Sequence, residues 1–168
     1  MAVVTVKGAT ITNRDATPPV ISDGRFSRAS IKEHSDYATV TSGDSIGSKY
    51  LLANVPASAR VSDVLLSSAA ITSAAADVGV YRNTSDGGAV VAVSLFGSAV
   101  SLASAQTSTS VLNESGTNTI DKQNQPLWQA AGLSADPQTT LDIVLTLTAA
   151  ATATGLVGLR VQYADNSN

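Results

Sequence analysis

Two runs near the C-terminus constrain this chain more than any other feature. From Thr140 to Thr148, apolar Leu141, Ile143, Leu145 and Leu147 alternate with Asp142, Val144, Thr146 and Thr148. Alternation of period two is the pattern of a half-buried strand, because successive side chains leave a strand on opposite faces. After Ala149–Thr154, the stretch Gly155–Ala164 alternates again. Val157, Leu159, Val161 and Tyr163 fall on one face, Gly158, Arg160 and Gln162 on the other. Two such runs with a short link predict a C-terminal antiparallel hairpin.

Upstream segments follow the same logic. Tyr37–Thr41 reads as a strand and Gly43-Asp44-Ser45 as a turn. Ser48–Val55 reads as a second strand, with Tyr50, Leu52 and Asn54 on one face and Leu51, Ala53 and Val55 on the other, until Pro56-Ala57-Ser58 breaks it. Arg60–Ala69 is apolar on both faces through Val61, Val64, Leu65 and Leu66, and Asp77–Tyr81 is a short strand. Asn83–Gly88 is a loop marked by Asp86-Gly87-Gly88. Gly87–Asn113 carries no charge and reads as part strand, part short helix. Asn113–Thr119 is a polar turn. Gln125–Leu133 suits one or two helical turns around Pro126, Leu127 and Trp128, with Gly132 as the stop. Roughly seven or eight strands at this spacing predict an all-β, jelly-roll-like antiparallel β-sandwich. No internal repeat is visible.

Residues 1–36 differ from the rest. Lys7, Arg14, Arg25, Arg28 and Lys32 stand against Asp15, Asp23, Glu33 and Asp36, so this segment is positive while the remainder is negative. Thr17-Pro18-Pro19 favours extension and resists a helix, and Asp23-Gly24 signals a turn. The segment reads as an extended N-terminal arm with short strands such as Arg25–Ile31, and residues 37–168 as the sandwich domain. Val20, Ile21, Phe26 and Ile31 offer apolar anchors, and Pro18-Pro19 lowers the entropy lost on docking. Arg14, Arg25 and Arg28 offer planar forks for carboxylates. Fully extended, such an arm spans roughly 100 Å. The expected contact residues to another subunit are therefore Arg14, Pro18, Pro19, Val20, Ile21, Arg25, Phe26 and Arg28.

Composition narrows the function. The 168 residues carry a net charge of -3, which argues against nucleic-acid binding by bulk charge. Charged residues make up 14%, against roughly 25% in an ordinary domain. A neutral Ser/Thr/Ala surface suits packing against other subunits. Cysteine is absent, so thiol chemistry and cysteine zinc sites are excluded. The N-terminus lacks a basic start followed by an apolar run, so no signal peptide is expected and the cytoplasm of the producing cell is the simplest site of synthesis. The longest apolar stretch, Ile143–Leu159, is broken by four threonines and two glycines. It is also short of the ~20 residues a spanning helix needs, so no membrane partner is expected.

Catalytic constellations are nearly unavailable. A Ser-His-Asp triad would need His34, the sole histidine, which sits in the polar stretch Lys32-Glu33-His34-Ser35-Asp36 and reads as solvated. The one Gly-x-Ser-x-Gly match, Gly43-Asp44-Ser45-Ile46-Gly47, falls in a turn between two expected strands and not on a strand-to-helix elbow, and no phosphate-binding Gly-x-x-x-x-Gly-Lys motif occurs. Asp63, Asp77 and Asp142 are candidates for a glycosidase-type carboxylate pair, but each flanks or lies on the polar face of a strand. Asn83-Thr84-Ser85-Asp86-Gly87 is faintly like a calcium loop. Trp128 is a candidate stacking platform, although a sole tryptophan is more often a core or interface anchor. No enzymatic activity, metal or cofactor is expected.

Several segments in order carry a likeness. Val55-Pro56-Ala57-Ser58-Ala59-Arg60-Val61-Ser62-Asp63 is followed by Ala76-Asp77-Val78-Gly79-Val80-Tyr81, Leu95-Phe96-Gly97-Ser98-Ala99-Val100, Leu127-Trp128-Gln129-Ala130-Ala131-Gly132-Leu133 and Leu141–Thr148. Over about residues 40–164 the chain resembles the jelly-roll cement, or decoration, proteins of tailed-bacteriophage capsids. That resemblance implies a non-enzymatic protein on the outer surface of the virion, made in the host cytoplasm. Its partner is the major capsid protein, and it clamps neighbouring capsomers as a homo-oligomer, with a dimer preferred and a trimer second. The matching residues are core and turn residues, so no binding residue transfers with it. The competing class is a β-sandwich tail-fibre or carbohydrate/receptor-binding module, which would want several exposed aromatics; a small hydrolase would want more ionisable residues.

Overall fold

The computed structural model describes residues 5–22, 24 and 29–165. A short helix, α1 (Ala9–Arg14), precedes eight strands: β1 (Ile31–Val40), β2 (Lys49–Pro56), β3 (Arg60–Ser68), β4 (Ala75–Arg82), β5 (Val90–Ser101), β6 (Gln106–Ser110), β7 (Thr140–Ala149) and β8 (Gly155–Ala164). A one-turn helix, α2 (Leu127–Ala130), lies in the long connection between β6 and β7. The strands form two four-stranded sheets, ordered β1-β8-β3-β6 and β2-β7-β4-β5, with every pairing antiparallel.

The pairing is nested. The first strand pairs with the last, the second with the seventh, the third with the sixth, and the fourth with the fifth. This is a single long hairpin folded at the β4–β5 turn and then rolled, so that β8 also meets β3 and β7 also meets β4. The result is the jelly-roll arrangement, which the strand spacing had predicted.

The expected C-terminal hairpin does not form. β7 is central in one sheet and β8 central in the other, and the 150–154 link arches between the sheets. Ala151 is buried in that arch; its N–H donates to the Asp44 carbonyl (3.0 Å) and its carbonyl accepts from Gly43 (2.9 Å), so the β7–β8 and β1–β2 links close the same end. The physical reason is that the apolar stripes of β7 and β8 face each other across the interior instead of lying side by side. Period two identifies the stripe but not its neighbour.

The interior is made of Leu52, Val55, Val78, Val80, Leu141, Ile143, Leu145 and Leu147 from one sheet and Val64, Leu66, Val157, Leu159 and Val161 from the other, all at most 1% exposed. β7 is buried on both faces, not one. Its second face, Asp142, Val144 and Thr146, lies beneath a covering that the sequence did not disclose. The Tyr81 hydroxyl meets Thr146 Oγ1 at 2.9 Å, and Asn54 Nδ2 donates to Asp142 Oδ1 at 2.7 Å. Lys49 Nζ sits 4.8 Å above the Tyr81 ring. Opposite Val144, Gly79 presents only hydrogen, and the carbonyls of Ala92 and Val93 fill the space where a side chain would be.

Two other expectations are corrected. Gly87–Asn113 contains no helix: β5 and β6 account for its regular structure, and the only helical turn beside it is the 3₁₀ segment Thr84–Asp86 at its start. The polar sequence of β6 forms an exposed edge strand, which needs no apolar face. The boundary expected after residue 36 falls inside β1, which begins at Ile31 because all ten of its residues find partners on β8. The helical turn around Trp128 is present as α2, and Gly132 follows it with φ +89°, the left-handed conformation that stops a helix.

Candidate functional site

The N-terminal segment is a surface feature. Among described residues 5–22 none is buried. It is not extended throughout, because Gly8 begins α1 and the Thr12 N–H and hydroxyl both return to the Gly8 carbonyl (2.9 and 3.0 Å). Past the helix, Val20 N–H donates back to the Asn13 carbonyl at 2.9 Å, folding the Thr17-Pro18-Pro19 stretch over as a loop. Asp15 ties this turn together, accepting from Arg14 Nε at 2.7 Å and Lys7 Nζ at 2.8 Å. Those two cations, Arg14 foremost, hold its carboxyl below the usual range. A propensity argument from the two prolines missed this, since α1 ends before they begin.

The expected contact residues are therefore displayed, not buried. Arg14, Pro18, Pro19, Val20 and Ile21 are exposed, Ile21 at 96%. Arg25, Phe26 and Arg28 lie outside the described residues, as does most of the expected Arg25–Ile31 strand. A cleft of about 450 Å³ separates Gly8, Ala9 and Thr10 from Arg60 and Asn124, placing the start of α1 beside the entry to β3.

The carboxylates considered for hydrolysis have structural partners. Asp63 accepts from the Ser110 hydroxyl (2.6 Å) and Val64 N–H (2.9 Å), and Asp77 accepts from Ala99 N–H (2.7 Å). Asp142 and Asp77 share the outer face of one sheet. Their register partners, Tyr81 and Thr146, put them four residues apart along the strands, roughly 13 Å. A glycosidase pair needs roughly 5–9.5 Å, so this sheet does not build one. In the Asn83–Gly87 loop the Asn83 side-chain oxygen takes the Ser85 hydroxyl and the Asp86 N–H, and Asp86 pairs with Arg82 at 2.6 Å. That is a helix cap, with its oxygens already used. Trp128 is half-buried and packs on the core, so its ring is an anchor.

What the outer face of the β1-β8-β3-β6 sheet offers is a mixed surface. Glu33, Gln162 and Arg160 form a polar cluster, with Gln162 Nε2 donating to Glu33 at 3.0 Å and Arg160 Nε 3.8 Å from the same carboxylate. Beside it, exposed Tyr37 and Leu156 border a shallow groove of about 330 Å³ with Ser67, Gln106 and Thr107. Parity could have found Leu156, next to the expected inward residues Val157 and Leu159, whereas Tyr37 takes its face from its pairing with Gly158. Each is an apolar residue on the solvent phase of its strand, opposite in phase to buried Val157 and Leu159.

The same fold occurs in a chain of the cyanophage Pam1 capsid asymmetric unit. The two superpose with a TM-score of 0.53 over 81% of this chain and 85% of that one, at 18% sequence identity. The likeness is one of fold. No family model and no curated protein matches the sequence.

Proposed function

We propose that the protein is a non-enzymatic structural component of a phage head that binds the outside of the major-capsid lattice and clamps neighbouring capsomers. The observation that supports this best is the jelly roll shared with a chain of a phage capsid asymmetric unit. A surface poor in charge, carboxylates tied into turns and caps, and an N-terminal segment with exposed Arg14, Pro18, Pro19, Val20 and Ile21 all suit a protein that works by contact. In this reading the N-terminal segment, including Arg25, Phe26 and Arg28, lies along a capsid subunit, and the protein self-associates, with a dimer favoured over a trimer.

The test is binding to shells. Mixed with heads or empty shells of its phage, the protein should co-sediment at fixed stoichiometry and raise the temperature at which the shells rupture. A version lacking residues 1–30 keeps every strand among the described residues, since β1 starts at Ile31; it should retain its β-type circular dichroism and lose the shells. Unchanged binding by the truncated protein would refute the arm's role. Binding to glycans but not to shells would favour a receptor-binding module instead.

A further inference from the structure

The two sheets present four edge strands, and three carry features that discourage pairing with another chain. β2 has a register shift at Leu51/Ala53 and ends in Pro56. β5 shifts register three times against β4. β6 has five residues, one of which, Ser108, has φ +48°. β1 has none of these. It runs ten residues, pairs with β8 from Ile31↔Ala164 to Val40↔Gly155 without a shift, and contains no proline. Among the described residues nothing pairs with its other side. A long, regular open edge is a template for another strand.

The main-chain groups on that edge can be assigned. The Leu156 carbonyl accepts from Ala69 at the end of β3, so Leu156 faces β3. Its alternates Val157, Leu159, Val161 and Tyr163 therefore face β1, where they meet Ala38, Asp36, His34 and Lys32. The odd-numbered residues Ile31, Glu33, Ser35, Tyr37 and Thr39 then direct N–H and C=O outward. Consistent with this, Tyr37 N–H donates to the Asp36 carboxylate at 2.8 Å and not to β8.

We infer that β1 pairs antiparallel with β1 of a second copy about a two-fold axis at His34, joining two four-stranded sheets into one of eight. This rests on the self-association part of the proposed function and names its surface. The register is chosen by the side chains. With His34 opposite His34, Lys32, whose Nζ lies 3.2 Å from Asp165 of its own chain, falls opposite Asp36 of the second copy, and the reverse, so that each Asp36 joins a Lys32–Asp165 pair. On the outer face, Ile31 (55% exposed) falls opposite Tyr37 (71% exposed) of the second copy, twice, so both apolar side chains are covered. Tyr37 N–H passes to a carbonyl of the second copy, which frees the Asp36 carboxylate for Lys32. Neighbouring registers do worse. Centring on Glu33 or Asp36 sets like charges face to face, and centring on Ser35 leaves Tyr37 against Glu33 and Ile31 against Thr39.

The experiment measures mass in solution, with no shell present. The wild-type protein should sediment at twice its 17.0 kDa chain mass at micromolar concentration. Asp36→Lys and Lys32→Asp each set like charges opposite in the homodimer, and each should raise the dissociation constant about tenfold or more. Because Lys32→Asp also takes the cation from Asp165, its circular dichroism and melt are compared with those of Lys32→Ala, which loses the same intrachain pair and should still dimerise more tightly than Lys32→Asp. Mixed in equal amounts, Asp36→Lys and Lys32→Asp should restore the dimer, because every lysine then faces an aspartate. Ser35→Pro removes an outward N–H without touching the β8 ladder and should leave a folded monomer. A monomeric wild type, a Ser35→Pro dimer of wild-type affinity, or a mixture of the charge variants no tighter than its components would each overturn the inference. None of these results bears on whether the protein binds capsids, which the co-sedimentation experiment decides.

Discussion

Gly79 is the position where the smallest change should do the most damage. It lies in β4 opposite Val144, and a Cβ added there would sit far inside the 3.0 Å that real Cβ contacts respect, against the carbonyls of Ala92 and Val93. The obstacle is backbone, so no side chain can rotate away. Restoring ordinary contact requires β5 to retreat by roughly an ångström or more, enough to stretch hydrogen bonds of ~2.9 Å past the useful limit. The Val80–Ala92 pairing lies next to the clash and would open first. Overpacking costs about 1–3 kcal/mol, and each buried main-chain group left without a partner about 1–3 kcal/mol more. Gly79→Ala should therefore destabilise the protein by ~3–5 kcal/mol and lower its melting temperature by about 10 °C. Urea denaturation and a thermal melt would measure both. Gly8→Ala is the control, since nothing lies within 4 Å of a Cβ there, and it should stay within ~0.5 kcal/mol of wild type. A Gly79→Ala melt within about 2 °C of wild type would refute the reasoning.

Other expectations follow from single contacts. Tyr81→Phe removes the hydroxyl from a buried bond to Thr146 and should cost ~1–2 kcal/mol in urea denaturation; paired with Thr146→Val, the two losses should not add. Phe96→Ala empties a fully buried site and should cost ~3–5 kcal/mol by the same assay. Asp44 accepts the Tyr50 hydroxyl at 2.6 Å and the Thr41 N–H at 2.8 Å, and these two bonds, the tyrosine's first, hold its carboxyl below 3.8. Its contribution is thus complete above its unfolded pKa of about 3.9 and is lost as pH falls through the lower folded value. NMR titration should show the Asp44 carboxylate moving back up in Tyr50→Phe. Partial burial and the adjacent carboxylate push the Tyr50 phenol in the opposite sense, well above 10. Its stabilising bond should therefore persist through pH ~10 and fail only as the phenol ionises at higher pH, which ultraviolet absorbance would follow.

The sequence disclosed strands far better than it disclosed neighbours. Leu141, Ile143, Leu145 and Leu147 identify a buried stripe, yet the choice between a hairpin and an arch depends on what else competes for the edges of β7 and β8. In this fold β2 and β4 take the edges of β7, and β1 and β3 those of β8. The polar strand β6 escaped because its residues gain their place from main-chain pairing with β3 and not from burial. Helix α1 escaped for a similar reason: Ala9–Arg14 buries nothing and is held by Gly8 and by the Lys7–Asp15–Arg14 cluster. Among surface residues, Ile21 and Val20 were legible as apolar residues outside any strand pattern. Tyr37 was read as a strand residue without a face, because parity has meaning only once the inward phase is known.

The nested pairing also sets a schedule for folding. The β4–β5 contact closes a short loop, whereas β1 and β8 join residues as far apart as Lys32 and Asp165, separated by 133 positions. Chain-closure entropy rises with that separation, and pairings between distant segments slow folding. Each inner pair shortens the effective loop for the next, so the roll grows outward from the middle of the chain to its ends. A ribosome delivers β1 before the other seven strands and β8 after them, so β1 has no partner strand among the described residues until β8 has emerged. The edge strand and the N-terminal segment it carries are thus the last parts of the roll to be seated, and assembly through them waits on β8.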